Sequence, residues 1–310
     1  MKRALRAGDS SEQGKQEKDS RMAAKKLREL MANKEFVCAP GAYNALTAKL
    51  IEEAGFNSVY MSGYCTAATS LALPDLGLLT MTEMLNNVRA LADSTEIPLI
   101  ADGDTGYGNP INVVRTVREY EKAGAAAVHL EDQVWPKRCG HMAGKQVIPQ
   151  ADMVAKLRAA ADCRLSEDFV IIARTDALAV DGLEAAIDRC HAYAEAGADV
   201  VFVDGQHTIE QIEALPKQCP ERPALINMGP LTPLLSVEEI IRIGYSIAIF
   251  PAVCIGPAML AIQDGLKHFK ETGTSPIKDP EQMLHVFGTF NKFMGVPYYN
   301  ELEEKYRSGE

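Results

Sequence analysis

From Phe36 onward the apolar residues fall into two alternating patterns. Short runs with almost no polar interruption occupy residues 37–40, 58–62, 98–102, 126–131, 169–174, 199–204, 223–227 and 247–251, eight in all. Each is rich in Val, Ile and Ala, the composition of strands buried on both faces of a parallel sheet. Between them, residues 45–54, 84–92, 113–123 and 183–196 carry apolar side chains at helical spacing. Gly55, Gly124 and Gly197 stand where a left-handed residue closes a helix. Eight strand–helix units in this length predict a closed (β/α)8 TIM-type barrel. The alternative, an open doubly wound sheet, calls for a glycine-rich phosphate loop after the first strand, and Pro40-Gly41-Ala42-Tyr43-Asn44 is not one. Past the eighth strand, residues 259–272 and 280–294 are helix-like. The first of these completes the eighth unit. The predicted organisation is a flexible basic arm over residues 1–25, a barrel over 26–272 and a C-terminal helical arm over 273–310. That arm either folds back on its own barrel or is swapped onto a neighbouring subunit.

Charge narrows the function classes. Lys plus Arg number 32 against 42 Asp plus Glu, a net charge of −10. Residues 1–28 hold nine basic and four acidic side chains, so the rest of the chain carries about −15. A nucleic-acid partner is not expected of such a body, and an anionic substrate requires its few cations, or a metal, to be gathered at one place. The seven cysteines form no CxxC pair, and the first twenty residues lack an apolar core of seven or more. Reduced thiols and a cytoplasmic location are therefore expected. No apolar run approaches ~18 residues, so no membrane span is expected.

Chemistry in such a barrel is assembled at the carboxyl ends of the strands. There the sequence places Ser62 and Gly63, Asp102 and Asp104, Glu131 and Asp132, Arg174 and Asp176, Asp204, and Asn227. Several carboxylates on adjacent strands repel one another unless they share a cation or a proton. Oxygen donors without a histidine pair suit a hard ion, Mg2+ or Mn2+, with Asp102 as the direct ligand. The loop at 133–149 has the length of a lid or binding loop. It contains Lys137-Arg-Cys-Gly-His141, where cations flank Cys139 and favour proton transfer by that thiol near neutral pH. Gly140 and Gly144 let this loop open and close. The other six cysteines read as buried small hydrophobes. His129 reads as a satisfied core residue, and His191, His207, His268 and His285 as surface residues.

With those residues in hand, the chain resembles the isocitrate lyase/phosphoenolpyruvate mutase superfamily over roughly residues 25–295. The resemblance rests on Tyr60-Met-Ser-Gly63, Leu73-Pro-Asp75-Leu-Gly77, Asp102-Gly-Asp104-Thr-Gly-Tyr-Gly108, Glu131-Asp-Gln133, Lys137-Arg-Cys-Gly-His141 and Ala173-Arg-Thr-Asp176. The cysteine loop is similar to that of the branch that cleaves carbon–carbon bonds: methylisocitrate lyase, 2,3-dimethylmalate lyase and oxaloacetate hydrolase. The resemblance implies a helix-swapped homotetramer, a dimer of dimers, that requires Mg2+ and takes a small di- or tricarboxylate. It implies that Asp102, Asp104 and Glu131 hold the metal, the latter two through water, with Asp75 near that shell. Tyr60, Ser62 and Gly63 would cradle one substrate carboxylate. Asn227, His141 and Gly140 would grip the other.

By the same resemblance Arg174, with Lys137 and the other loop cations, would hold the developing enolate, and Cys139 would protonate it. The base would be Tyr60 or a metal-bound water. Two departures bear on the substrate. Asp204 stands where relatives commonly carry a glutamate, and Asn227-Met-Gly-Pro-Leu-Thr-Pro233 is a shortened loop. The expected activity is cleavage of a 2-hydroxy diacid or triacid into a 2-oxo acid and a carboxylate. The alternatives are an oxaloacetate hydrolase and a 2-oxo acid mutase or decarboxylase.

Overall fold

The computed structural model describes residues 12–140 and 142–307, with side chains from Met22 onward. Eight strands, β1 Val37–Ala42, β2 Val59–Met61, β3 Leu99–Asp102, β4 Ala127–Glu131, β5 Val170–Thr175, β6 Val200–Val203, β7 Ala224–Asn227 and β8 Ile247–Phe250, pair in sequence order. Parallel pairing of β1 with β8 closes the barrel, Val37 opposite Ile247 through Pro40 opposite Phe250. These are the eight buried runs of the sequence, with edges shifted by one or two residues.

The helices are α1 Glu12–Ala32, α2 Ala45–Glu53, α3 Gly63–Leu71, α4 Met81–Ser94, α5 Pro110–Lys122, α6 Gln150–Cys163, α7 Leu183–Glu195, α8 Ile209–Gln218, α9 Val237–Ile243, α10 Ile255–Thr272, α11 Pro280–Phe293 and α12 Val296–Tyr306. Their starts are written locally. Capping boxes pair Thr80 with Glu83, Thr208 with Gln211 and Ser236 with Glu239, each satisfying backbone N–H groups that the first turn leaves open. At the other ends, Gly55, Gly124 and Gly197 take φ of 89°, 102° and 105°, as their positions after α2, α5 and α7 require.

One expectation fails at the N-terminus. Residues 1–11 lie outside the described residues, but from Glu12 the stretch expected to be a flexible arm is helix. Ala24 and Leu27, three apart on one face, are buried with the barrel-interior residues Val37, Ile100, Phe202 and Ile249. Arg28 fixes the helix by donating to the carbonyls of Glu167, Asp168 and Phe169 and pairing with Asp199 at 2.9 Å. The largely charged composition of residues 12–21 had concealed this contact, to which Ala23, Leu30 and Met31 of the same helix add.

The second correction concerns the domain boundary. The chain divides into a unit that runs to Ile255 and a second that starts at Gly256. The helix expected to complete the barrel, α10, therefore belongs with α11 and α12. None of its side chains is buried. No helix among the described residues is long and apolar enough to cross a membrane.

Candidate active site

The carboxyl ends of β2 to β7 bring the expected polar residues to one rim, and the local backbone explains how. Gly103 follows β3 because a Cβ there would lie 2.6 Å from Val128. Asp104 then turns left-handed at φ 47°, a conformation that Asp tolerates better than most side chains, and its N–H donates to Asp102 Oδ1 at 3.0 Å. The Gly63 N–H, opening α3, donates to Asp102 Oδ2 at 3.0 Å, and a Cβ on Gly63 would approach that oxygen to 2.7 Å. Ser62 Oγ caps α3 by accepting from the Cys65 N–H. Gly63, one of the groups expected to face a substrate carboxylate, thus also forms the wall against Asp102.

Arg174, at the end of β5, is the hub of the rim. It lies 2.9 Å from Asp176 Oδ2, 2.7 Å from Asp204 Oδ2 and 3.2 Å from Glu131 Oε2, with its guanidinium 5.5 Å above the Phe202 ring. Asn227 completes this side by donating to Asp204 Oδ1 at 2.9 Å. Across the mouth, Lys137 reaches down from the 133–149 loop to Asp75 and to Asp104, 2.8 Å away. Lys145, on the same loop, joins Asp176 at 2.8 Å to the Gly140 carbonyl.

Six buried carboxylates, Asp75, Asp102, Asp104, Glu131, Asp176 and Asp204, thus face three buried cations, Lys137, Lys145 and Arg174. At Asp102, Asp104, Glu131 and Asp176 burial pushes the carboxyl toward its neutral form, and the neighbours decide which stay charged. At Asp102 burial is outweighed by the charges of His129, Lys137 and Arg174, which hold the carboxyl down to about 2. At Asp104 burial wins over Lys137, helped by Asp102 and Asp75, and the carboxyl is raised to about 6. Glu131, buried and only partly offset by Arg174, is pushed well above its ordinary value.

The donor set fits a hard divalent ion. Both Glu131 oxygens are buried without a hydrogen-bond partner, Arg174 reaching Oε2 only as an ion pair at 3.2 Å. A dication lowers the carboxyls that burial has raised. Asp102, Asp104 and Glu131 do not all bring a carboxylate oxygen within 4.8 Å of one another, so an ion shared by the three would reach some of them only through water.

The loop is seated on the rim. Gln133 holds it from within, accepting from the Arg138 N–H and donating to the Arg138 carbonyl. The Cys139 N–H donates to the Asp75 carbonyl at 3.1 Å. Gly140 packs so closely that a Cβ would fall 1.6 Å from Asp204 Oδ2. His141, expected to grip a substrate carboxylate, lies outside the described residues.

Three features differ from the sequence reading. His129 is buried as expected but is not satisfied: its Nε2 lies 3.0 Å from the Tyr60 hydroxyl and 3.6 Å from Asp102, and its Nδ1 has no partner. Burial lowers the imidazole, and it pushes the Tyr60 phenol well above its ordinary value, so Tyr60 keeps its proton. Asp132, beside Glu131 in sequence, points away and accepts from Thr175, the Asp176 N–H, Arg189 and Tyr193. Lys145 and Asp176 carry no assigned role in the sequence reading, although both lie in segments it singles out. Only the pairing of loop to strand reveals them.

Set beside known proteins, residues 27–270 match the phosphoenolpyruvate phosphomutase family. The chain belongs to that family. It is 44% identical over 289 residues to a 2,3-dimethylmalate lyase of Eubacterium barkeri, covering 92% of this chain and 99% of that one. The solved structure of an oxaloacetate acetylhydrolase with 3,3-difluorooxalacetate superposes with a TM-score of 0.85 at 37% identity, covering 93% of this chain and 98% of the other. A phosphonopyruvate hydrolase solved with oxalate and Mg++ gives 0.84 at 32% identity, over 93% and 100%. The protein is thus an enzyme of the PEP mutase/isocitrate lyase superfamily with a named lyase among its relatives.

Proposed function

We propose that this family member is a Mg2+-dependent carbon–carbon lyase. Its substrate is a 2-hydroxy diacid or triacid, a substituted malate or 2-methylisocitrate, and its products are a 2-oxo acid and a carboxylate. The observation that carries the reading is the excess of three buried carboxylates over cations at the barrel mouth. The 44% identity to a dimethylmalate lyase supports the substrate class, and the oxalate–Mg++ complex of the hydrolase relative supports the ion. Mn2+ fits the same donors.

Asp102, Asp104 and Glu131 would hold the ion, which when bound acidifies the hydroxyl of a chelated 2-hydroxy acid. Tyr60, Ser62 and Gly63 lie on the Asp102 side of the rim and grip the substrate carboxylate there. Asp75 fixes Lys137 over that corner. The hydroxyl proton passes to a water at the mouth, since Tyr60 keeps its own, and the electron pair left on that oxygen forms the carbonyl of the 2-oxo acid while the bond to the neighbouring carbon breaks. The pair from that bond passes into the departing fragment as an enolate. Arg174 and Lys137 stabilise its oxygens by charge already in place, without reorganisation. Cys139 then delivers its proton to carbon, and the loop that carries it excludes water while the enolate exists. Asn227, Gly140 and His141 bind the distal carboxylate, and Asp204 sets the room left for it.

A second reading is favoured by one observation: the similarity to oxaloacetate acetylhydrolase, at a TM-score of 0.85, is nearly that to a solved 2,3-dimethylmalate lyase, at 0.86. Incubation with Mg2+ and a panel of C4–C7 2-hydroxy diacids and triacids separates the two. Release of a 2-oxo acid from a member of the panel supports the lyase. A silent panel, with oxalate and acetate formed from oxaloacetate, transfers the site to the hydrolase.

The assembly we infer is a homotetramer of helix-swapped dimers. Its support is the apolar surface of the second unit, where Leu266, Phe269, Leu284 and Phe287 are each more than half exposed. Exposed apolar side chains in such number mark a surface that another protein chain covers.

A further inference from the structure

At the end of the barrel opposite the mouth, α7 and α8 finish beside one another and the chain turns into β7. There His191, in the last turns of α7, meets Cys219, which ends α8, and Glu221, two residues further on. One ligand-type atom from each lies within 4.8 Å of the others, the one group of three or more His, Cys, Asp and Glu side chains with that spacing among the described residues. Nothing in the proposed mechanism uses it.

The atoms are oriented as well as close. The His191 ring presents Nε2 to Cys219 Sγ at 3.7 Å and Nδ1 to Glu221 Oε1 at 2.7 Å. A tetrahedral zinc ion, at about 2.0 Å from nitrogen and about 2.3 Å from sulfur, separates those two ligand atoms by about 3.6 Å. A carboxylate on the remote ring nitrogen is the partner that fixes the tautomer of a metal-binding histidine and raises its basicity. Glu221 already occupies that position.

The sulfur is buried, its thiol directed at the Ile187 carbonyl 4.0 Å away, and it is the thiolate that binds a metal. His191 and Glu221 are each 43% exposed at their side chains, so an ion has a route from solvent to the buried sulfur.

We propose that His191 Nε2 and Cys219 Sγ bind a zinc-class divalent ion, with water completing the tetrahedron and Glu221 orienting the imidazole. Soft sulfur with imidazole selects this class over the hard ion of the barrel mouth. Binding displaces the Cys219 proton to solvent and clips the end of α7 to the entry of β7.

Cobalt(II) is the probe, because ligation by thiolate gives it a sulfur-to-metal absorption that oxygen ligands do not. Reduced, chelator-treated full-length protein is titrated with Co2+ while excess Mg2+ occupies the mouth. One equivalent should develop the band, and Zn2+ should bleach it. Cys219→Ser should abolish it, and Glu221→Gln should weaken Co2+ binding by about 10–100-fold. Cys139→Ser, which removes the thiol of the mouth, should leave the band intact. Should Cys219→Ser fail to fold, the exposed His191→Ala reports instead, with at least about tenfold weaker Co2+ binding and unchanged Mg2+-supported turnover. Absence of the band at one equivalent, its survival in Cys219→Ser, its loss in Cys139→Ser, or unaltered Co2+ affinity in His191→Ala would each overturn the site.

Discussion

Arg174 concentrates the energetics of the site in one side chain, because it touches three carboxylates on three strand ends with almost no exposure to water. Breaking such a buried set from one side strands a charge, at a cost of about 3–5 kcal/mol. Asp176 shows what the arrangement does to acid stability. Its burial favours the neutral acid, yet Arg174 and Lys145 outweigh burial and hold the carboxyl down to about 2 from 3.8. A depressed carboxyl stabilises the fold above its unfolded value and loses that contribution as pH falls through its folded one. The stability difference between the parent and Asp176→Asn should therefore be full at pH 7, begin to shrink near pH 4 and be nearly gone at pH 2. Urea midpoints across that range check this, and a difference that does not change with pH would show that Asp176 is neutral in the fold.

Among elements, the 133–149 loop decides whether the site is assembled. Gly140 is where it touches the rim, and a methyl group there would collide with Asp204 and come within 2.7 Å of Arg174. Gly140→Ala should leave the barrel folded, as seen in an unchanged melting temperature, while kcat falls by about 100-fold, the scale of a 1 Å misplacement. A kcat within twofold of the parent would mean that the seated loop is not the working one. What was legible in the sequence follows from the same distinction. The strands were readable because burial on both faces leaves continuous apolar runs, and the acids were readable because a parallel barrel sends every strand end to one rim. Helix α1 was not, since its hold on the barrel comes chiefly from Ala24 and Leu27, which follow a largely charged stretch. Lys145 and the unsatisfied ring of His129 were not, since their partners are up to 69 residues away and no local pattern encodes them.

At the scale of the whole molecule, the second unit exposes what a barrel unit of this type buries. None of the side chains of α10, α11 or α12 is buried within one chain, and their apolar residues recur at helical spacing, as Leu266 with Phe269 and Leu284 with Phe287 show. A charge placed on that surface, as in Leu266→Glu with Phe287→Glu, should reduce the sedimenting species below the tetramer proposed for the parent. A parent that already sediments as a monomer would contradict the assembly. The barrel chemistry itself has a more direct test. The parent enzyme and Cys139→Ser are run in D2O with Mg2+ on the hydroxy acid that turns over best, and both products are followed by NMR and mass spectrometry. The account predicts equal amounts of 2-oxo acid and carboxylate, one deuterium at the α-carbon of the carboxylate, cleavage slowed by about 100-fold or more in Cys139→Ser, and no turnover in chelator. Full turnover in chelator, or products that carry no solvent deuterium at that carbon, would contradict an enolate formed over a metal-bound acid cluster and quenched from the loop.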